Sequence, residues 1–230
     1  MRDKVSIIIP CFNGQDFVTT AILSALNQTY ENKEIIVVND GSTDRTPYVI
    51  DGFRYQVQII TQENAGLAAS RNNGVARSSG EFLLMLDDDD KIDASYLEKT
   101  VPLMADPKVG VVTTNFRQFG ELGGLVEPKV TLADEKAGNT IPVCSLIRRE
   151  AFLQVSGYTT RFQELNGLAV TSYEDWSLWL DILKRGWQVA VVREPLFYYR
   201  VKPPRWKKEA SVESLCGIIR SLHPDLYGGT

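Results

Sequence analysis

A chain of 230 residues, 43% hydrophobic and 23% charged, has the composition of a globular protein with one large domain or a domain plus a modest extension, and it excludes disordered, collagenous and disulfide-framed classes. Lys and Arg number 25 against 29 Asp and Glu, and the net −4 argues against a broad nucleic-acid-binding surface. Cys11, Cys144 and Cys216 are too scattered to frame a disulfide scaffold or a zinc site, so a cytoplasmic setting is expected, and a single histidine, His223, leaves acid–base chemistry to carboxylates.

Residues 5–9 form an apolar run that Pro10 and Asn13 cut short, which predicts a strand rather than a signal peptide. A helix over 16–27 follows, with Val18, Ile22, Ala25 and Leu26 at helical spacing. Strands at 34–39, 56–62, 81–86 and 110–114 then alternate with helices at 46–53, 66–76 and 94–104, and Pro47 suits a first helical turn. This rhythm predicts an α/β fold around a buried sheet. The longest strongly apolar stretch, 82–86, is far short of the ~18 residues that cross a bilayer, so no membrane span is expected. After Phe119 the pattern changes: Gly120 and Gly123-Gly124 predict a hairpin or loop, and 127–140 is polar and irregular. Helices are expected at 145–155 and 174–184, then a strand at 188–192, the pair Tyr198-Tyr199, and a basic segment that turns helical around 210–222.

If the early strands are parallel, their C-terminal ends share one edge, where open α/β sheets bind ligands. That edge collects Pro10-Cys11-Phe12-Asn13, Asn39-Asp40-Gly41-Ser42, Gln62-Glu63-Asn64 and Asp87-Asp88-Asp89-Asp90. Between Glu81 and Asp93 six acids stand against Lys91, a local −5. Adjacent carboxylates repel, and Mg2+ or Mn2+ neutralises them while favouring one or two carboxylates plus substrate phosphates. Asp87 and Asp89, alternating, can offer oxygens on one side. An isolated acidic run is more often a solvated loop or a helix cap, but a place directly after a core strand favours a site. Asp40 can accept from a nucleobase or ribose; an Asx-type turn accounts for the same segment equally well. The turn at Gly66 and the helix bearing Arg71 suit a diphosphate. Asp175, in the first turn of a helix with an apolar stripe, suits a general base, the alternative being acids that match the helix dipole.

Five blocks in order, at 5–13, 37–44, 64–74, 80–90 and Glu174-Asp175, resemble the motif set of the family-2 inverting glycosyltransferases, and 145–152 with Gly157-Tyr158 is similar to the segment before that family's catalytic Glu-Asp. The resemblance implies a GT-A fold: a nucleotide-binding α/β sheet with helices on both faces, fused to an acceptor-binding half. It implies one domain over 1–200, with about 1–119 for the nucleotide sugar and about 120–200 for acceptor and base, and a basic extension over 201–230. Pro10, Phe12 and Asn13 would line the nucleotide pocket and Asp40 would contact base or ribose. Gly66, Arg71, Asp88 and Arg200 would belong to the donor site, Asp87 and Asp89 would hold Mn2+ or Mg2+, and Asp175 would be the base. The implied reaction moves one sugar from a nucleoside-diphosphate sugar, UDP-linked by family habit, to a hydroxyl of a glycan, lipid-linked or other acceptor.

Two departures from the family stand out. Val201-Lys202-Pro203-Pro204-Arg205 follows Tyr199-Arg200 where many members carry a histidine, and the Gln-x-x-Arg-Trp block of processive synthases is unmatched, so single-sugar transfer is expected. Arg193, Arg200, Lys202, Arg205, Lys207 and Lys208 against Glu194 give a net +5, which suits the donor diphosphate under a closing loop, anionic lipid at the inner membrane face, or a solvated surface. A sugar nucleotidyltransferase would want a glycine-rich basic loop after the first strand, which 10–14 lacks. A non-catalytic sugar- or nucleotide-binding module would not need both the acidic run and Asp175. A glycosidase would use two carboxylates without metal or nucleotide.

Overall fold

Apolar residues, β-branched in all but the fourth, fill the first strands on both faces, as a sheet covered on both sides requires. In the computed structural model, which describes residues 3–161, 173–202 and 212–228, these are β1 (Val5–Cys11), β2 (Lys33–Asp40), β3 (Gln58–Gln62) and β4 (Phe82–Met85). They pair in parallel as β3-β2-β1-β4, and β5 (Lys91–Ile92), β6 (Val109–Gly120), β8 (Leu146–Arg148) and β9 (Gln188–Val201) continue the same sheet in the order β4-β8-β6-β9-β5. β7 (Gly124–Val126) folds back on β6, so of the hairpin or loop expected there the hairpin forms. β6 and β9 run parallel to each other, whereas β8 lies antiparallel between β4 and β6.

Alternation along β1 sorts the helices. Ile7 and Ile9 pack with Val18, Ile22, Ile50 and Tyr96, from α1 (Val18–Leu26), α2 (Thr46–Asp51) and α4 (Tyr96–Thr100). Ile8 packs in the opposite cluster with Val75, Phe152 and Trp179, from α3 (Leu67–Ala76), α6 (Arg149–Gln154) and α7 (Glu174–Lys184). A short helix, α5 (Leu132–Ala137), precedes β8. Beyond the sheet, α8 (Val212–Leu222) packs Leu215, Ile218 and Ile219 on Trp176 and Leu180 of α7, and α9 (Pro224–Tyr227) follows. Buried His223 hydrogen-bonds the Ser177 hydroxyl through Nε2 at 2.8 Å.

Three expectations need correction. The predicted helix at 145–155 is a strand and then a helix: Leu146 and Ile147 are wholly buried, and Leu146–Arg148 fills the sheet between β4 and β6, so only Arg149–Gln154 turns helical. The helix at 94–104 shortens to α4 and continues as a 3-10 turn, Val101–Ala105, where Pro102 has no N–H to give. The strand at 188–192 runs on to Val201 and takes in Tyr198-Tyr199, with a register shift where Pro195 faces Asn115. Among the described residues no helix is long and apolar enough to cross a membrane. Pro203, Pro204, Arg205, Lys207 and Lys208 of the basic segment lie outside the described residues.

Candidate active site

The parallel ends of β1 to β4 bring the four polar segments together. Pro10 has no N–H to donate, and it stands where the β1–β4 pairing ends: the last register pair is Ile8 with Met85, and Leu86 N–H donates to Ile8 O at 2.9 Å. Asn13, in the left-handed region at φ 53, donates its N–H to Ser42 Oγ at 3.0 Å and accepts from Thr43 N at 2.9 Å, while Phe12 beside it is half exposed.

Asp40 is buried, and its carboxylate braces a loop. Oδ1 accepts from Gln62 Nε2 and Ala65 N, both at 2.8 Å, and Oδ2 from Gly66 N at 2.9 Å. The turn into α3 that carries Gly66 is therefore set by Asp40. Gly41 is required beside it, since φ is 71 and a Cβ would lie 2.8 Å from Asn64 N.

Each acid of the run after β4 meets a different partner. Asp87 Oδ1 accepts from Arg71 Nη2 at 2.6 Å. Asp88 accepts from the Phe12 N–H and presses on Gly14, where a Cβ would be 2.1 Å from its Oδ2. Burial first, then repulsion from Asp89 and Asp87, pushes the Asp88 carboxyl up to about 7. Asp89 Oδ2 pairs with Lys202 Nζ at 2.7 Å, and its backbone oxygen accepts from Arg200 Nε at 2.8 Å. Asp90 is buried, accepts from Arg200 N at 2.7 Å, and is pushed well up by burial and its acidic neighbours. The Arg200 guanidinium lies between the rings of Phe17 and Phe119, 4.6 and 4.4 Å from their centroids.

A cleft of about 290 Å3 opens beside this run, lined by Arg71, Asp87, Phe116, Asn139, Tyr173, Glu174, Asp175 and Tyr199 among others. Arg71, assigned from sequence to the diphosphate, is 1% exposed; it bridges Asp87 to Glu174 and stacks 5.2 Å from the centroid of Tyr158. Arg71 thus ties the acidic run to the head of α7, where Tyr173 leads in at φ 79. Acids in a first helical turn are favoured by the dipole, yet burial outweighs it and both Glu174 and Asp175 are pushed up. Asp175 Oδ1 accepts from Trp176 N at 2.8 Å, and both its oxygens accept from Asn139 Nδ2.

Asn139 and the residue that stages it, Glu135, were not singled out by sequence. Buried Glu135 Oε1 accepts from Thr140 N at 2.9 Å and Ile141 N at 2.8 Å, holding the chain just after Asn139. The Trp176 indole in turn donates to Glu135 O at 2.6 Å. The legible signal was Thr131-x-x-Asp134, a capping box that starts α5 and brings Glu135 inward one residue later.

Among the described residues no three acid, His or Cys side chains converge as a ready-made metal cage. The oxygen donors nonetheless suit a hard divalent ion. Asp90 Oδ2 is buried without a partner among the described residues, and the Asp88 carboxyl, pushed up first by burial, is pushed further by Asp89 and Asp87, as in a cluster short of positive charge.

Over residues 6–156 the chain matches the family described as Glycosyl transferase family 2. It belongs to that family. Glycosyltransferase GlyA of Streptococcus pneumoniae is 35% identical over 126 residues, 54% of this chain and 18% of that protein, so the chain spans less than a fifth of that relative. As a family 2 member it also superposes on crystallised glycosyltransferases of the GT-A type. S. aureus TarS 1–349 in complex with UDP-GlcNAc gives a TM-score of 0.78 at 18% identity, over 96% of this chain and 66% of that one. The mannosyltransferase PcManGT from Pyrobaculum calidifontis, in complex with GDP-Man and Mn2+, gives 0.67 at 17% identity, over 100% and 74%. At these identities the likeness speaks for the fold.

Proposed function

We propose that the chain transfers one sugar from a nucleoside-diphosphate sugar, UDP-linked, to an acceptor hydroxyl with inversion, using Asp175 as general base. The observation that carries this reading is that Asp175 lines the same cleft as Asp87, with Arg71 and Glu174 fixing the distance between them. The UDP-GlcNAc and GDP-Man complexes of the fold neighbours support a nucleotide-sugar donor.

In this reading the strand-end loops at Phe12, Asn13, Asp40 and Gly66 cradle the nucleotide, within a half formed by about 1–119, and about 120–200 supplies the acceptor side. Asp87 and Asp89 are the residues that would hold Mn2+ or Mg2+, an ion that when bound offsets the charge growing on the departing diphosphate. Asp175 takes the acceptor proton; its raised pKa makes it a better proton acceptor than an exposed aspartate. Phe116 and Tyr199 in the cleft wall suit the apolar faces of a sugar ring.

Nucleotide release from UDP-GlcNAc and from GDP-mannose with Mn2+ tests the proposal. Asp175→Asn should lower it by about 10²–10⁴-fold. Nucleoside diphosphate affinity should stay within about twofold, because a base contributes little to holding the nucleotide. Equal loss of both would make Asp175 a donor-site or structural residue, and no release with any donor and acceptor would leave a binding module.

A further inference from the structure

We propose that Lys202 is a built-in counter-ion of the acidic run: its ammonium occupies Asp89 in the free protein and moves from there to the donor diphosphate when metal and nucleotide bind together. The inference rests on the donor-site reading above and adds an order to it.

Three features carry it. Lys202 Nζ lies 2.7 Å from Asp89 Oδ2, and Asp88 and Asp87 attract it as well, so the ammonium sits at the focus of three carboxylates, where a divalent ion would also be drawn. The side chain is nevertheless 30% exposed, and among the described residues its aromatic contact is loose, 5.3 Å to the centroid of Phe17. Arg200, two residues earlier, is the opposite case: stacked between two rings and hydrogen-bonded to Asp89 O, it is fixed. A compact ammonium on a flexible four-carbon stem can change partners at small cost, whereas a stacked guanidinium cannot.

The consequence is thermodynamic. A metal ion arriving alone must displace the ammonium from Asp89 and compete with it for the same few carboxylates, with no new anion to receive it. A diphosphate arriving with the metal supplies that place, so metal and nucleotide each strengthen the other's binding, reciprocally. Lys202 therefore opposes metal alone and supports metal with nucleotide, two effects of opposite sign on one side chain.

Mn2+ binding, followed by the electron paramagnetic resonance of the free ion, and calorimetric titration with UDP and GDP in Mn2+ read the two effects apart. Lys202→Met should bind Mn2+ alone about tenfold more tightly than wild type, the rough value of removing one charge at a partly exposed site. The same variant should bind the nucleoside diphosphate in Mn2+ several-fold more weakly. Lys202→Arg, which keeps the charge, should bind Mn2+ alone as weakly as wild type, which separates the charge from any loss of structure. Mn2+ affinity unchanged or lower in Lys202→Met overturns the inference, as does absence of Mn2+ binding in every form. If nucleotide in Mn2+ then binds wild type and Lys202→Met equally, only Lys202's role falls. If no nucleotide binds wild type, the donor-site reading falls with it.

Discussion

Asn139 donates its Nδ2 to both oxygens of the Asp175 carboxylate, at 3.1 and 3.2 Å. Burial pushes Asp175 up, and the Arg71 charge, then Asn139 and the Trp176 N–H, oppose that push. Asn139→Ala leaves burial less opposed, so the acidic limb of kcat should move to higher pH, with turnover recovering towards wild type above it. The measurement is kcat against pH at saturating donor. A lower kcat with an unmoved limb would assign Asn139 to acceptor binding instead.

Arg71 is the counter-ion of two carboxylates and cannot be removed cleanly. Arg71→Met leaves Asp87 and buried Glu174 without it, and breaking a buried pair of this kind costs about 3–5 kcal/mol. Chemical denaturation should show that loss, and the double variant with Glu174→Gln should regain part of it. A double variant no more stable than the single one would mean that packing on Tyr158, rather than charge, is what Arg71 contributes.

Glu135 gives a pH dependence of stability with a definite sign. Burial pushes its carboxyl from 4.5 up to about 7, so between those values the folded chain keeps a proton that the unfolded chain has released. Its contribution is whole below the lower value and is lost as pH rises through the upper one, on the order of 3 kcal/mol in all. The difference in melting temperature between Glu135→Gln and wild type should therefore grow in the variant's favour from about pH 5 to about pH 8. A constant difference over that range would show that Glu135 stays charged in the folded state.

Gly74 sets two effects against each other. Alanine in mid-helix gains about 1 kcal/mol over glycine. Here, however, its Cβ would lie 2.5 Å from Ile8 Cγ2 and 3.2 Å from Val38 Cγ2, because α3 rests directly on β1 and β2. Overpacking of this kind costs about 1–3 kcal/mol, so after the helical gain Gly74→Ala should lower stability by up to about 2 kcal/mol in denaturant titration. A gain would mean that α3 can lift from the sheet.

How far these features can be read from sequence follows from how local their causes are. β1 to β4 and their helices announce themselves by alternation and by the polar residues at each strand end, so the edge that gathers Asn13, Asp40 and Asp87 is foreseeable. β8 is not: three residues, Leu146–Arg148, enter the sheet because β4 and β6 leave a gap, and nothing in so short a run distinguishes it from the start of the following helix. The same holds inside the site. An acidic run can be recognised in the chain, but that Arg71 turns to Asp87 and Glu174, that Asp40 spends its oxygens on Ala65 and Gly66, and that Asn139 crosses to Asp175 depend on elements brought together only by folding.

The Ser177–His223 contact makes a native spectroscopic reporter. The chain has a single histidine, and its ring is buried where α8 and α9 meet α7, the helix that carries Asp175. One set of imidazole resonances, with no label and no engineered residue, would follow docking of the C-terminal helices. A ligand in the cleft that shifted those signals would be read within one turn of Asp175, through Ser177.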